Sequence, residues 1–402
     1  PLLANTDQSG CLLRISLHTK TCLWDTRMLE DLVTTDANTR RQRSVAALQS
    51  LFVGDALAMP VHWYYSQHDI EAGFPGGIVQ FEAAPAHHPS SIMALHSTNQ
   101  GGRGRQGGAS GRQVVGDVIL KGKGQFWGQA NQHYHQGMQA GENTLNAHCA
   151  RVLLRVLAAN AGHYHEAQFL DAYIQLMTAD SPQHPDTYAE SYHRAFFANW
   201  AMGKPGNRCA AVTHDTPSIG GLVTIGPLVI GELMAGTALQ RVKEVALGHL
   251  YLTHPDAQLA RVCADYVNLI HDLLFREPDQ PAQQVLAGFA NRAVGGDVLQ
   301  LIQKTHNDAD IIGGRFSKAC YISGSWPGVL FLACKYLQDP MVGLRSNTNL
   351  GGDNVHRGSV LGFILGLATG DNLQAFFGQL TTQQAIDAEI NGLLDAVQVR
   401  ST

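Results

Sequence analysis

The chain has 402 residues, of which 45% are hydrophobic and 15% are charged, and its formal net charge is -5. This length allows one large domain or two ordinary ones with a sizeable core. The small net charge disfavours a general nucleic-acid or membrane surface, and no apolar run of about 18 residues predicts a transmembrane helix.

The cysteines indicate a reducing compartment. Seven are present, an odd number, and none forms a C-x-x-C pair. Five of them lie in apolar, helix-like stretches, as buried free thiols do. We therefore expect an intracellular protein, either cytoplasmic or, if a transit peptide precedes Pro1, organellar.

The first 38 residues show no sustained periodicity, and they are interpreted as an N-terminal extension that could contact a protein partner. From Arg40 the pattern becomes helical, with Val45, Leu48 and Ala56 on one face before Pro60. The folded domain is accordingly predicted over residues 39–402.

Residues 60–140 are rich in Gly, Pro, His and Ser, and no helix is predicted there. Within them, residues 99–124 combine glycines with basic side chains. Such a run could cradle phosphate or contact RNA. Because aromatic residues are not interleaved with the basic ones, a flexible insertion is the favoured interpretation and nucleic-acid binding is disfavoured.

From residue 144 to about residue 397 the chain is predicted to form successive helices of about 10–18 residues. The predicted segments include 167–178, 186–202, 239–252, 257–275, 282–294, 327–337, 359–367 and 383–397. Alternating strand-like runs are scarce. The sequence therefore predicts an all-α fold, a single large orthogonal multi-helix bundle of roughly a dozen helices.

The strongest chemical signal is the run from Gly351 to Gly358. Asp353 follows two glycines and precedes a helix whose Gly358, Gly362 and Gly366 share one face. Such a helix can pack closely in a bundle, and its positive N-terminus favours carboxylates or ligand oxygens. Asp353 or Asn354 could equally serve as a simple N-cap.

Two other segments also place polar residues at the start of, or within, a predicted helix. The run Gly141, Glu142, Asn143 and Thr144 stands directly before a predicted helix, where Asn143 or Thr144 could also be only a cap. Asp55 lies in an otherwise apolar run before Pro60, so it needs either a metal or structural hydrogen-bond donors. Bundles assemble sites from separated segments of this kind.

These segments resemble the three signatures of the ADP-ribosylglycohydrolase family, which includes dinitrogenase-reductase-activating glycohydrolases and jellyfish J-type crystallins. The family pattern G-D-A-x-G-x-P-x-E corresponds to residues 54–62, T-D-D-T to residues 141–144, and G-G-D-T-D-T to residues 351–356. The resemblance spans roughly residues 42–370. It implies the family's fold, a ligand that is ADP-ribose-like or ADP-ribosylated, and a pair of magnesium ions bound by carboxylates and threonines.

The departures from the family pattern affect the metal site. His62 stands in place of the glutamate, Glu142 and Asn143 in place of two aspartates, and Val355 and His356 in place of oxygen ligands. Magnesium prefers near-octahedral oxygen coordination, so the ion pair is expected to bind poorly here. One divalent ion, whether magnesium, manganese or zinc, remains an expectation, with Asp55, Glu142 and Asp353 as candidate metal ligands.

Two explanations of these departures compete. The site could have decayed in a non-catalytic pseudoenzyme with a structural, crystallin-like or scaffold role. It could instead have been rebuilt as a divergent glycosidic hydrolase, because most of the replacements are competent acids, bases or ligands. In that case we expect Glu142 or Asp353 as base or charge stabiliser and His356 as acid.

The remaining polar residues of the motifs are candidate ligand-binding residues, namely His62, Asn143, Thr144, Asn354 and Arg357. His133, His135 and His148 are weaker candidates, interpreted as structural or surface residues. The pair His214-Asp215 precedes Thr216-Pro217 and is interpreted as part of a helix start rather than as a catalytic dyad.

Overall fold

The computed structural model describes the backbone of residues 23–91 and 113–398 and the side chains of residues 36–91 and 113–397. Within these ranges the chain forms α-helices, short helical turns and loops, with isolated β-bridges and no strand. The predicted all-α class is therefore confirmed. The helices are α1 (Leu23–Ala58), α2 (Gln67–Gly73), α3 (Leu145–Ala159), α4 (Glu166–Thr178), α5 (Ser191–Ala201), α6 (Ile225–Met234), α7 (Leu239–Tyr251), α8 (Ala257–Leu274), α9 (Ala282–Val294), α10 (Val298–Lys304), α11 (Ile322–Lys335), α12 (Pro340–Leu350), α13 (Asn354–Thr369), α14 (Gln374–Phe377) and α15 (Gln383–Gln398).

Local signals set many of the helix boundaries. Asp256 caps α8 by accepting a hydrogen bond from the Leu259 N–H at 2.7 Å. Helix α9 follows Pro281 and ends at Gly295, whose φ of 69° is the left-handed conformation that stops a helix. Its bounds are those predicted from the sequence, because the sequence shows both the proline that precedes the helix and the glycine that ends it.

The N-terminal segment contains the start of the first helix. Helix α1 begins at Leu23, inside the segment interpreted as an extension without periodicity. The chain divides into two compact units, Pro1–Thr39 and Arg40–Thr402. Residues 1–22 lie outside the described residues, and so does the suggested partner contact through them.

The glycine- and arginine-rich segment is only partly described. Residues 99–112 lie outside the described ranges, whereas residues 113–124 are packed. Val114, Val115 and Val118 are buried there. Lys123 donates from Nζ to the carbonyl oxygens of Pro185 and Asp186, each at 2.6 Å. This later part therefore belongs to the folded domain and supports the loop before α5.

Helices α1 and α13 approach each other closely enough for backbone to meet backbone. A Cβ atom on Gly358 would lie 2.6 Å from the Gly54 carbonyl oxygen, and one on Gly362 would meet the Ser50 carbonyl oxygen inside van der Waals contact. Gly366 faces Ala46 in the same way. The four-residue glycine spacing predicted such a contact, which fixes the end of α1 against the start of α13.

The apolar segment Asp36–Val61 is long and apolar enough to cross a membrane by length and composition. Its most apolar window is 94% buried within the protein, however. A central core helix of a water-soluble bundle has the same properties, so this segment is explained by its packing.

Burial of His249 predicts a sensitivity to acid. Its ring lies between the Thr224 hydroxyl at 2.9 Å and the Tyr164 hydroxyl at 3.0 Å, and burial lowers its pKa to about 3. Because the unfolded pKa is about 6.5, the neutral ring stabilises the fold above that pH. This contribution is lost as pH falls from about 6.5 towards 3, by up to about 1.4 kcal/mol per pH unit.

We therefore expect His249→Gln to flatten the fall in unfolding free energy between pH 6 and pH 4. Denaturant unfolding at a series of pH values measures this slope. His68→Gln, at a solvent-exposed position, is the control and should follow the wild-type curve. Parallel curves for wild type and His249→Gln would contradict the assignment.

Candidate active site

The turn before α13 brings two distant motifs together. Gly351 and Gly352 have φ values of 71° and 69°, which L side chains adopt only with strain. The Gly352 N–H donates to the Tyr64 carbonyl at 2.7 Å, and the Gly352 carbonyl accepts from the Trp63 N–H at 2.8 Å. These two backbone hydrogen bonds hold Asp353, at the start of α13, beside the segment that carries His62.

Asp353 lies between two imidazoles. Its Oδ1 atom is 3.1 Å from His62 Nε2 and 2.8 Å from His356 Nδ1. All three side chains are at most 3% exposed. Of the residues predicted for the site, Asp353, His62 and His356 are therefore brought into direct contact.

The charges of the three residues follow from this arrangement. Burial would raise the pKa of Asp353, but His356 and His62 outweigh it and hold that pKa well below its usual range. Burial would lower the pKa of His356, but Asp353 and Glu190 raise it well above its usual value. Burial lowers the pKa of His62 to about 3. Without a bound ion, the cluster holds a carboxylate, an imidazolium and a neutral imidazole.

The contacts continue on both sides of this group. His62 Nδ1 is 2.7 Å from His135 Nε2, and His135 Nδ1 is 2.7 Å from the Asp186 carboxylate. On the other side, His356 Nε2 is 2.9 Å from Glu190 Oε1. Carboxylates and imidazoles thus form one buried row, which we call the Asp–His row. It consists, in order, of Asp186, His135, His62, Asp353, His356 and Glu190.

Three members of the row were not assigned to the site from the sequence. His135 was a weak candidate because its neighbourhood showed no regular structure, and its contacts depend on the tertiary fold. Asp186 and Glu190 fell inside the predicted helix 186–202, whereas α5 begins only at Ser191. Two acids four residues apart, just before an apolar helix, were the available signal.

Asp55 has a structural role at the start of α3. Its carboxylate accepts hydrogen bonds from Asn143 Nδ2 at 2.8 Å, from the Thr144 N–H at 2.8 Å and from the Thr144 hydroxyl at 2.6 Å. Burial raises the pKa of Asp55. Both of its oxygens are engaged by these donors, so Asn143 and Thr144 hold the Asp55 carboxylate in place.

Glu142 does not join the group that was predicted around Asp353. Its side chain accepts a hydrogen bond from the Gln139 N–H at 2.8 Å and remains half-buried. Among the described residues, the second carboxylate beside His356 is Glu190. The expected pairing of Glu142 with Asp353 is therefore replaced by a pairing of Glu190 with His356.

Arg357 and Asn354 hold the backbone of the site. Arg357 donates from Nη2 to the Gly351 carbonyl at 2.8 Å and from Nε to Asn347 Oδ1 at 2.6 Å. Asn354 donates from Nδ2 to the carbonyl oxygens of Thr348 at 2.8 Å and Val61 at 3.3 Å. Both side chains therefore have protein partners, and their contact with a ligand stays a prediction.

Val355, the replacement that looked least suited to chemistry, is fully buried in a small apolar cluster with Ala58, Met59 and Met138. An apolar patch therefore occupies the position where the family pattern has a ligand oxygen.

The donor atoms do not fit a magnesium pair. Asp55 is engaged by Asn143 and Thr144, and Glu142 lies apart, so Asp353 is the one predicted metal ligand in the group. His62, Asp353 and His356 do form a set that could hold a metal ion, with ligand atoms within 4.8 Å of one another.

This set could hold a single ion. Two ligand atoms at about 2.1 Å from one ion lie about 3.0–3.4 Å apart. The 3.1 Å between Asp353 Oδ1 and His62 Nε2 falls in this range, whereas the 2.8 Å between Asp353 Oδ1 and His356 Nδ1 is slightly shorter. Asp353 Oδ2 has no hydrogen-bond partner among the described residues. Two imidazoles with one carboxylate suit zinc, manganese or iron better than magnesium.

A cleft of about 160 Å³ adjoins the row at Trp63, and its lining includes no member of the row. It is lined by aromatic rings, small residues and one His–Asp pair, including Trp63, Tyr65, Ser90, Tyr134, Tyr188, His214, Asp215, Cys320 and Tyr321. Trp63 stacks on His62 with ring centroids 3.8 Å apart and has a φ of 60°, a strained backbone conformation. The charge of Asp353 contributes to the raised pKa of Tyr65 and of Cys320, after burial. The cleft therefore lies within electrostatic range of Asp353.

Comparison with known proteins agrees with these observations. A family model described as ADP-ribosylglycohydrolase matches residues 36–400. A solved structure named "ADP-ribosylglycohydrolase-related protein complex" superposes with a TM-score of 0.52 at 16% identity, covering 90% of this chain and 99% of that one. At this identity the likeness concerns the fold. No curated protein matches the chain. The matched residues, the helical fold and the position of Asp353 together show that the chain belongs to the ADP-ribosylglycohydrolase family.

Proposed function

We propose that this protein is a hydrolase that cleaves a glycosidic bond of an ADP-ribose-like or ADP-ribosylated ligand at the Asp–His row. The observation that carries the proposal is the contact of Asp353 with His62 and His356 beside an aromatic cleft. Oxocarbenium-like transition states in glycosidic cleavage need a nearby carboxylate. Asp353 meets this need because it is ionised and fixed at a helix start.

The cost of burying the row supports a function over decay. Removing charges from water costs several kcal/mol per ion, and well-packed apolar residues of similar volume are often as stable or more stable. A site under no functional constraint could replace a whole pair, such as Asp186 with His135 or Glu190 with His356, by apolar residues without losing stability. Instead, each charged member is paired with another member, and the apolar replacement Val355 lies beside the row and does not interrupt it.

The proposed centre holds one divalent transition-metal ion between His62 Nε2, Asp353 and His356 Nδ1. A bound ion of this class would activate water or polarise a ligand oxygen. Glu190 would orient His356, and His135 with Asp186 would orient His62, as carboxylates do behind metal-binding imidazoles. Because His356 has carboxylates beside both ring nitrogens, it is better placed to bind the ion than to protonate a leaving group.

The volume of the cleft limits what it accepts. Pockets for whole drug-sized ligands enclose about 300–1,000 Å³, whereas this cleft encloses about 160 Å³. It therefore accommodates one ring-sized portion of a larger ligand. In this proposal that portion is the ribose next to the scissile bond, packed against Trp63, and the rest of the ligand extends outwards.

Thermal unfolding of metal-stripped protein tests the proposal. We expect zinc or manganese to raise the melting temperature more than magnesium, and ADP-ribose to add a further increase. A ligand at about one hundred times its Kd stabilises the fold by about 2.7 kcal/mol. Release of ADP-ribose from an ADP-ribosylated peptide by the metal-loaded protein is the expected activity.

A protein that responds to neither metal nor ADP-ribose would contradict the proposed centre and favour the non-catalytic, structural alternative. A protein that binds both but releases no ADP-ribose would contradict hydrolysis and leave a binding role.

A further inference from the structure

We propose that His214 and Asp215 form a proton-transfer dyad on the wall of the cleft, with His214 as the group that exchanges a proton with the bound ligand and Asp215 as its positioning residue. This inference rests on the proposed function, because it supplies the acid that the Asp–His row lacks. It also reverses the interpretation of this pair as a simple helix start.

The Asp215 carboxylate is fixed by the start of α5. Its Oδ2 atom accepts hydrogen bonds from the Ser191 N–H at 3.0 Å and from the Ser191 hydroxyl at 2.7 Å. Ser191 is the first residue of α5, so the carboxylate also benefits from the positive end of that helix. Burial would raise the pKa of Asp215, but the bonds and charge from His214 and Ser191 lower it to about 2. Asp215 is therefore an ionised, immobile carboxylate at neutral pH.

Asp215 in turn orients His214. The second oxygen, Asp215 Oδ1, lies 3.0 Å from His214 Nε2. This contact uses one ring nitrogen and leaves Nδ1 for another partner. His214 Nδ1 is buried and has no hydrogen-bond partner among the described residues. A carboxylate behind one nitrogen of an imidazole, with the other nitrogen free, is the arrangement that proton-transferring histidines use.

The dyad lines the cleft, and the Asp–His row adjoins the cleft at Trp63. His214 and Asp215 line it together with Trp63, whose ring lies directly on His62. The charges of Asp215 and Asp353 both contribute to the raised pKa of Cys320, another residue of the cleft wall, after the effect of burial. A ligand ring held against Trp63 would thus have His214 beside it on the cleft wall, whereas Asp353 reaches the cleft through its charge.

The proton balance of the step is simple. Protonated His214 gives its Nδ1 proton to the oxygen or nitrogen of the leaving group as the glycosidic bond breaks. Water adds to the ribose carbon, and its proton returns to His214. The net reaction is hydrolysis, and no oxidant or reductant is consumed.

Substitution of His214 by glutamine is the direct test. We expect kcat for release of ADP-ribose from an ADP-ribosylated peptide to fall about 10²–10⁴-fold, while the Kd for ADP-ribose changes less than threefold. His163→Gln is the matched control. His163 also contacts a carboxylate, Glu232, at 3.2 Å, but it does not line the cleft. A His214→Gln enzyme whose kcat stays within threefold of wild type would overturn the proposal.

Asp215→Asn tests the positioning role. We expect a lower kcat with little change in KM, and a pH–rate profile of different shape because the imidazole has lost its charged partner. An unchanged profile with a normal kcat would contradict the role of Asp215.

A measurement without turnover separates this inference from the proposed function. Imidazole nitrogens labelled with ¹⁵N give NMR signals, and the His214 signal is assigned by its loss in His214→Gln. We expect ADP-ribose to shift this signal in the wild-type protein. If wild type binds ADP-ribose but does not hydrolyse the peptide, the proposed function fails while a shifted His214 signal still places the dyad at the ligand. A signal that ADP-ribose leaves unchanged would overturn the dyad whatever the turnover.

Discussion

Replacing Gly362 by alanine is expected to destabilise the protein by about 3 kcal/mol or more, although alanine is the better helix former. The added Cβ would meet the Ser50 carbonyl oxygen inside van der Waals contact, and the Ser50 carbonyl carbon would be 2.9 Å away. Backbone atoms cannot rotate aside as a side chain can. Helices α1 and α13 would therefore have to separate, and contacts along their whole interface would loosen.

Gly288→Ala is the matched control for this prediction. Gly288 lies inside α9, is exposed, and has nothing within 4 Å of the position of an added Cβ. There the same substitution should stabilise the protein by about 0.5–1 kcal/mol, because alanine loses less backbone entropy on folding. Chemical denaturation of both variants measures the two effects. Equal effects of the two substitutions would show that the α1–α13 contact tolerates separation.

Asp353→Asn is expected to have the largest effect on function. The amide keeps the shape of the carboxylate but carries no charge and is a weak metal ligand, so it cannot stabilise a developing positive charge. We expect the metal-dependent rise in melting temperature to disappear and turnover to fall by about 10³-fold or more, the scale on which lost electrostatic stabilisation acts. His356 keeps its contact with Glu190, so the fold should survive.

Asp308→Asn provides the comparison for Asp353→Asn. Asp308 is also a buried aspartate with several partners, Lys335 at 2.5 Å, Tyr336 at 2.6 Å and Ser346 at 2.5 Å. It contacts no member of the Asp–His row. We expect this variant to lose stability while its metal response and turnover remain. If Asp353→Asn behaved as Asp308→Asn does, Asp353 would be a structural residue and not part of an active centre.

The parts of the fold that were predicted from the sequence are those determined by residues close to them along the chain. Helix α9 was predicted to its ends because Pro281 and Gly295 punctuate it, and the close contact of α13 was predicted from glycines at every fourth position. The loop before α5 was not, since residues 186–190 contain no glycine or proline that would separate them from the helical pattern that follows. Their extended course depends on Lys123, which holds this loop from far along the sequence.

The candidate site was predicted in part for a similar reason. Asp353, His62 and His356 stand in motifs that mark a helix start and a tight turn, so their convergence followed from family resemblance and local pattern. His135 lies in a segment without regular structure, and only the tertiary fold places it on His62. Arg357 was expected at a ligand, but a buried guanidinium needs several acceptors, and the nearest are the backbone carbonyls of its own turn.

The contact of α1 with α13 also determines where the site can open. His62 follows the end of α1, and Asp353 directly precedes α13. Both residues are therefore positioned by two helices whose backbones are in contact at Gly358, Gly362 and Gly366. We expect such a pair to exchange its amide hydrogens only through near-global unfolding. In the proposed function, opening of this helix contact would then be too rare to admit a ligand, and the ligand would instead reach the centre between the aromatic side chains of the cleft.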